Sequence, residues 1–143
     1  MSDLNDLYSD RLLSFASNIT NSRTLDDYDA KATAHSKLCG SVVSVEIKVQ
    51  NRCIVNFGQT VKACLLGQAT AAIIGRNIIG TPCEEFRNVV RQVRSMLKNN
   101  GAPPGGRWSD LALLEPVRPY KARHTSTLLV FDAVEKALYE LDH

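Results

Sequence analysis

The stretch Ser41-Val42-Val43-Ser44-Val45-Glu46-Ile47-Lys48-Val49-Gln50, with Cys53-Ile54-Val55-Asn56-Phe57 just beyond it, decides the fold. Val43, Val45, Ile47 and Val49 alternate with Ser44, Glu46 and Lys48. Successive side chains of a strand point to opposite faces, so this alternation predicts a strand with one buried face. Gln50-Asn51-Arg52 reads as a turn, and Cys53 to Phe57 as the returning strand with Cys53, Val55 and Phe57 on one face. Two strands joined this tightly must be antiparallel, because a parallel pair needs a long crossover. Gly58 is expected to end the second strand.

Upstream, Ala30, Ala32 and Ala34 alternate with polar residues, which admits a first strand over Tyr28 to Leu38. Before it, Leu4, Leu7, Leu12, Phe15 and Ile19 recur at helical spacing, with Asp3 and Asp6 in the first turn, so Leu4 to Ile19 reads as an amphipathic helix. Downstream, Ala63 to Ile74 is rich in Ala, Leu and Ile and predicts a helix, with a break over Gly75 to Gly80. Thr81-Pro82-Cys83-Glu84 reads as the next helix start, Thr81 as N-cap, Pro82 at the first helical position and Glu84 as box partner. That helix carries Phe86, Val89, Val90, Val93 and Leu97 and ends at Asn99-Asn100-Gly101.

Ala102 to Trp108 reads as a loop, Leu111 to Leu114 as a short helical turn, and Val117 to Ala122 as irregular. Thr125 to Leu141 is the last helix, with Leu128, Leu129, Ala133, Val134 and Leu138 facing inward. Helix, sheet, then helices on one side gives an α+β two-layer domain of about three antiparallel strands. Residues 1–143 read as one domain, since a chain of 143 residues makes one core and not two.

Composition narrows the function. Charged residues are 22% and the net charge is +2, too small to argue for nucleic acid. No apolar run approaches bilayer length, and Met1 to Asp10 is polar and acidic, with no apolar signal core. The expected compartment is the cytoplasm, where Cys39, Cys53, Cys64 and Cys83 are free thiols or metal ligands rather than disulfides.

Cys39 lies in Leu38-Cys39-Gly40-Ser41 just before the main strand. Cys64 lies at the head of a helix, where free amides and the dipole favour a thiolate. A loop thiol and a helix-head thiol are a recognised way to hold a soft metal, and small buried hydrophobes are the bland alternative. Cys53 alternates with Val55 and Phe57 and reads as core; Cys83, near a helix start with nothing to pair with, reads as structural. Ser126, His124 and Asp132 do not make a hydrolase triad, because no strand–Ser–helix elbow is present. Arg107, Arg118, Lys121 and Arg123 form a modest basic cluster near Trp108 and Tyr120, read as a docking surface for an acidic protein.

The Cys39-Gly40-Ser41-Val42 stretch, the hairpin through Ile47-Lys48-Val49 and a helix opened by Cys64 resemble the iron–sulfur cluster scaffold family of IscU, NifU and SufU. The resemblance runs from Leu7-Tyr8 to the last helix. Leu114-Glu115-Pro116-Val117-Arg118, the long insert from Asn99 to Pro119, Arg123 and Ser126 are most similar to the SufU branch.

The resemblance implies a carrier or scaffold rather than an enzyme. It would accept sulfur from a cysteine desulfurase, hold iron, a nascent cluster or zinc, and pass its cargo to apo iron–sulfur proteins. Charge and hydropathy add the expectation of no nucleic-acid or membrane partner. The family's ligands are three cysteines and an aspartate. By position these are Cys39, Ser41 in the aspartate place, Cys64, and Ser126 in the third-cysteine place.

Cys39 is thereby the expected sulfur acceptor and Cys64 the anchor ligand. His124, two residues before Ser126, is the replacement ligand or else a surface histidine at the helix entrance. His35, four residues before Cys39, is a weaker candidate. Arg123 is expected beside the thiols, lowering a thiol pKa or holding an anionic sulfur species. With serines at two ligand positions, two further readings stand: a metal-free module that docks on the desulfurase, and a zinc-dependent sulfurtransferase.

Overall fold

The computed structural model describes residues 9–37 and 40–142. Elements follow in the order α1 (Asp10–Ala16), β1 (Ala30–Ser36), β2 (Ser41–Gln50), β3 (Cys53–Lys62), α2 (Leu65–Asn77), α3 (Cys83–Lys98) and α4 (His124–Asp142). Two 3-10 segments, Gly106–Val117 and Lys121–Arg123, lead into α4. The sheet order is β1-β2-β3, antiparallel throughout, and α4 lies across β1 and β2. Helix α2 packs on α4 and on α1, which makes the expected α+β two-layer architecture.

The main strand forms because Val43, Val45 and Ile47 are fully buried on the helix side of β2. Removing each from water stabilises the fold by about 1.5–3 kcal/mol. The hairpin turn uses Asn51 at φ 51° and Arg52 at φ 61°, with Gln50 paired to Cys53. Two positive φ angles match the right-handed twist of the flanking strands.

Beyond the turn the register differs from simple alternation. Val49 pairs with Ile54 and Lys48 with Asn56, so Val55 is an extra residue in a β-bulge. The bulge sends Ile54 and Phe57 inward, each fully buried, and leaves Val55 36% exposed. Cys53 is only half-buried, and the expected inward face of Cys53, Val55 and Phe57 is thereby corrected. Gly58 does not end the strand; β3 runs on to Lys62. A Cβ at Gly58 would lie 2.5 Å from the Arg23 carbonyl oxygen, so the glycine serves a close crossing of the 20s loop.

The helices shift similarly. Ser9 caps α1 by accepting the Leu12 amide, and α1 ends at Ala16, short of the expected Ile19; Leu4 and Leu7 lie outside the described residues. Helix α2 passes through Gly75 to Asn77 instead of breaking there. Thr81 does not cap α3: it is fully buried and its hydroxyl donates to the Asn77 carbonyl, 2.9 Å away, closing α2 instead. Pro82 holds the cap position of α3, and Glu84 pairs with Arg87 rather than with the cap. The short turn expected over Leu111–Leu114 is part of the longer 3-10 segment Gly106–Val117. Among the described residues, no helix is long and apolar enough to cross a membrane.

Candidate functional site

The antiparallel β2–β3 pair brings the start of β2 next to the residues that follow β3. Val42 pairs with Lys62, so Ser41 comes beside Cys64, two residues past the strand end. The Cys64 amide donates to Ser41 Oγ at 3.4 Å. Cys64 is the N-cap of α2, its backbone extended at φ −67°, ψ 173°, and its side chain is exposed. Ser41 is buried at 3% exposure. Gly40 before it adopts φ +68° although nothing would crowd a Cβ there. The glycine therefore serves the left-handed backbone at this bend and not a lack of room. Cys39 lies outside the described residues, two positions before Ser41 in the chain.

Ser126 sits in the first turn of α4, buried, with its hydroxyl donating to the Arg123 carbonyl at 3.2 Å. Thr127 donates to the same carbonyl at 2.7 Å. A Cβ at Gly67 would meet the Ser126 carbonyl oxygen at 3.2 Å and the Ala63 Cβ at 2.8 Å. Gly67, one turn along α2 from Cys64, thus lets the amino ends of α2 and α4 close on each other. That packing role was missed in the sequence, where a small residue three positions after Cys64 was the available signal.

His124 is not a surface residue. It is 7% exposed, and its Nε2 faces the carbonyl oxygens of Val117 at 3.2 Å and Arg118 at 3.0 Å. With two acceptors there, Nε2 carries the proton and donates, which leaves Nδ1 as the nitrogen able to act as a ligand. Arg123 is exposed at the same corner, in the 3-10 turn Lys121–Arg123 that leads into α4. His35 is exposed on β1, opposite Val42. Asp132 forms an ion pair with Arg94 at 2.6 Å, away from any Ser–His arrangement. Among the described residues no group of three His, Cys, Asp or Glu side chains is placed to hold a metal ion.

Cys53 and Cys83 lie at the hairpin end of the sheet. Cys53 bridges to Pro82, flanked by the Ile54 amide on the Thr81 carbonyl and the Cys83 amide on the Arg52 carbonyl, both at 2.9 Å. Burial, more than any neighbouring charge, pushes the Cys83 thiol above its ordinary value.

A three-stranded antiparallel sheet under α4, with a cysteine capping α2 beside the start of β2, defines an IscU/NifU-type scaffold fold. The N-terminal NifU-like protein of Brucella abortus, described as nitrogen-fixing, superposes with a TM-score of 0.95 at 45% identity, covering 97% of this chain and 96% of that one. The chain belongs to the IscU/NifU family of iron–sulfur cluster assembly scaffolds. The iron–sulfur cluster assembly scaffold protein IscU of Thermotoga maritima is 22% identical over 135 residues, 94% of each chain. FiSufU, the SUF-system protein of Fervidobacterium islandicum AW-1, shares the fold with a TM-score of 0.86 at 17% identity, over 95% of this chain and 99% of its own. The chain matches no family profile.

Proposed function

We propose that the chain is a working cluster-assembly scaffold with a reduced ligand set, in which Cys39 and Cys64 hold iron and sulfur as cargo. The observation that carries this reading is the contact of Ser41 Oγ with the Cys64 amide at 3.4 Å, which makes neighbours of two of the family's ligand positions. The approach of Ser126 to Gly67 brings a third to the same corner. Thiolates suit iron and sulfide, whereas a neutral serine hydroxyl is a poor ligand at neutral pH. The chain's own donors are then two thiols, with sulfide, water, His124 Nδ1 or a partner's residue filling the rest.

Sulfur arrives from a cysteine desulfurase in a reducing cytoplasm. The Cys39 thiolate attacks the outer sulfur of the desulfurase persulfide; that S–S bond breaks, the donor cysteine leaves as thiolate, and Cys39 becomes the persulfide. Arg123 holds the anionic sulfur species. The loaded protein then hands its cargo to apo iron–sulfur proteins.

A second reading, the metal-free docking module, is favoured by one specific bond: the Ser126 hydroxyl is committed to the Arg123 carbonyl. A zinc-dependent sulfurtransferase would use the same two thiols around a different metal.

Iron, zinc and acid-labile sulfide measured on protein purified without oxygen, beside Cys39→Ala and Cys64→Ala, separate the three. Iron and sulfide lost in both variants support the scaffold, and zinc in their place supports the transferase. No metal in the wild type after anaerobic reconstitution overturns both in favour of the docking module.

A further inference from the structure

The carboxyl end of α3 and the turn entering α4 enclose an open cavity of about 670 Å³. It is lined by Lys98, Asn100, Arg118, Lys121, His124 and Thr125, over the apolar surfaces of Leu97 and Pro119. Among the described residues no carboxylate lines it. Neither Lys98 nor Lys121 has an ion-pair partner within 4 Å among the described residues, and both are exposed. By contrast, Lys31, Lys48, Arg87, Arg94 and Arg107 all lie within ion-pair distance of a carboxylate.

The wall behind the two lysines is built rather than loose. Arg118 Nε donates to the Met96 carbonyl at 2.5 Å and Nη2 to the Gly101 carbonyl at 2.6 Å. Its guanidinium also lies 3.5 Å from Glu115, which offsets that one charge. His124, which also lines the cavity, donates to the Val117 and Arg118 carbonyls. Two ammonium groups with no carboxylate within 4 Å among the described residues, the nearer carboxylate charge on Lys98 being Asp132, line with an amide and a hydroxyl a concave space of small-molecule size.

We propose that this cavity is a binding site for a small polyvalent anion carrying carboxylate or phosphate groups, held by Lys98 and Lys121 and oriented by Asn100 and Thr125. Charge-assisted hydrogen bonds from ammonium groups recognise both anion types. Cys64 does not line the pocket, and Lys98 and Lys121 are not among the proposed cargo donors, so removing the two lysines tests the anion site separately from cargo binding.

The test is calorimetric titration of the intact protein with citrate and, separately, inorganic phosphate, against sodium chloride at matched ionic strength. Saturable binding of either anion is expected, at least about tenfold weaker in Lys98→Ala/Lys121→Ala. An Arg91→Ala/Lys136→Ala control removes the same charge elsewhere and is expected to bind as the wild type does. Citrate alone binding identifies a carboxylate site, and phosphate binding as well identifies a site that reads charge. Heat matched by chloride, or equal loss in both double variants, overturns the proposal. Binding of a hexaglutamate peptide when neither small anion binds also overturns it, in favour of a protein-docking surface.

Discussion

The hydroxyl of Ser41 accepts the backbone amide of Cys64 at 3.4 Å, across the mouth of the β2–β3 pair. Ser41 thus holds the backbone of the residue proposed as the anchor ligand. The hydroxyl satisfies an amide at the entrance to α2, where the backbone has no intrahelical partner to offer.

Removing that acceptor has a bounded cost. Ser41→Ala leaves the Cys64 amide to water, and a neutral bond of this length belongs at the low end of about 0.5–1.5 kcal/mol. The urea midpoint is expected to fall slightly with an unchanged slope. The sharper readout is the Cys64 thiol: its alkylation rate at neutral pH is expected to change in Ser41→Ala while that of Cys53 does not. Equal rates at Cys64 in both proteins would remove Ser41 from the positioning role.

His124→Ala is expected to cost stability rather than cargo. Nε2 donates at the turn into α4 to the Val117 carbonyl, which also accepts the Tyr120 amide, and to the part-buried Arg118 carbonyl, so losing these bonds costs about 0.5–1.5 kcal/mol. A thermal midpoint lowered by several degrees, with iron content per folded molecule unchanged, is the expected pair of results. Loss of iron with an unchanged melting temperature would instead make Nδ1 a ligand.

Much of the fold was legible in the sequence because its signals are local. The Val43, Val45 and Ile47 alternation and the Asn51-Arg52 turn dictate a hairpin whatever surrounds them, and the inward stripe of α4 is a matter of spacing. What escaped reading depends on distant partners. Gly58 is read as a break, yet it sits inside β3 because the Arg23 carbonyl crosses there. Thr81 has the chemistry of an N-cap, yet its hydroxyl closes the preceding helix at Asn77. His124 is buried only because the 3-10 segment turns the carbonyls of Val117 and Arg118 toward it. The Ser41–Cys64 contact follows from the strand register, which the hairpin implied but sequence alone did not spell out.

Cys64 and Cys83, at opposite ends of the sheet, should react differently with alkylating reagents. Cys64 is exposed and Cys83 is buried, its thiol held above the ordinary value of 9.0 by desolvation, with Arg87 opposing only in part. Neutral-pH iodoacetamide is therefore expected to modify Cys64 first and Cys83 only in the unfolded chain or at strongly alkaline pH, as mapped by peptide mass spectrometry. The linkage follows the same sign. Below pH 9.0 the thiol is protonated in both folded and unfolded chains. Above it only the unfolded thiol ionises, so stability declines as pH rises, and Cys83→Ser is expected to flatten that alkaline decline.

Ser126→Cys tests the amino end of α4 directly. Ser126 is buried in the first turn of α4, and its carbonyl oxygen would lie 3.2 Å from a Cβ at Gly67, one turn from Cys64. A thiol at that position replaces a hydroxyl that currently donates to the Arg123 carbonyl at 3.2 Å, so the helix start loses one neutral bond. The stability cost is about 0.5–1.5 kcal/mol. Against it stands a third soft donor at the corner that the two cysteines are proposed to serve, and thiolate is the ligand iron prefers there over a neutral hydroxyl. More iron and sulfide per chain after anaerobic reconstitution is expected, together with slower loss to a chelator. If Ser126→Cys holds no more iron than the wild type while Cys64→Ala still abolishes binding, the amino end of α4 does not face the cargo, and the remaining ligands come from outside the chain.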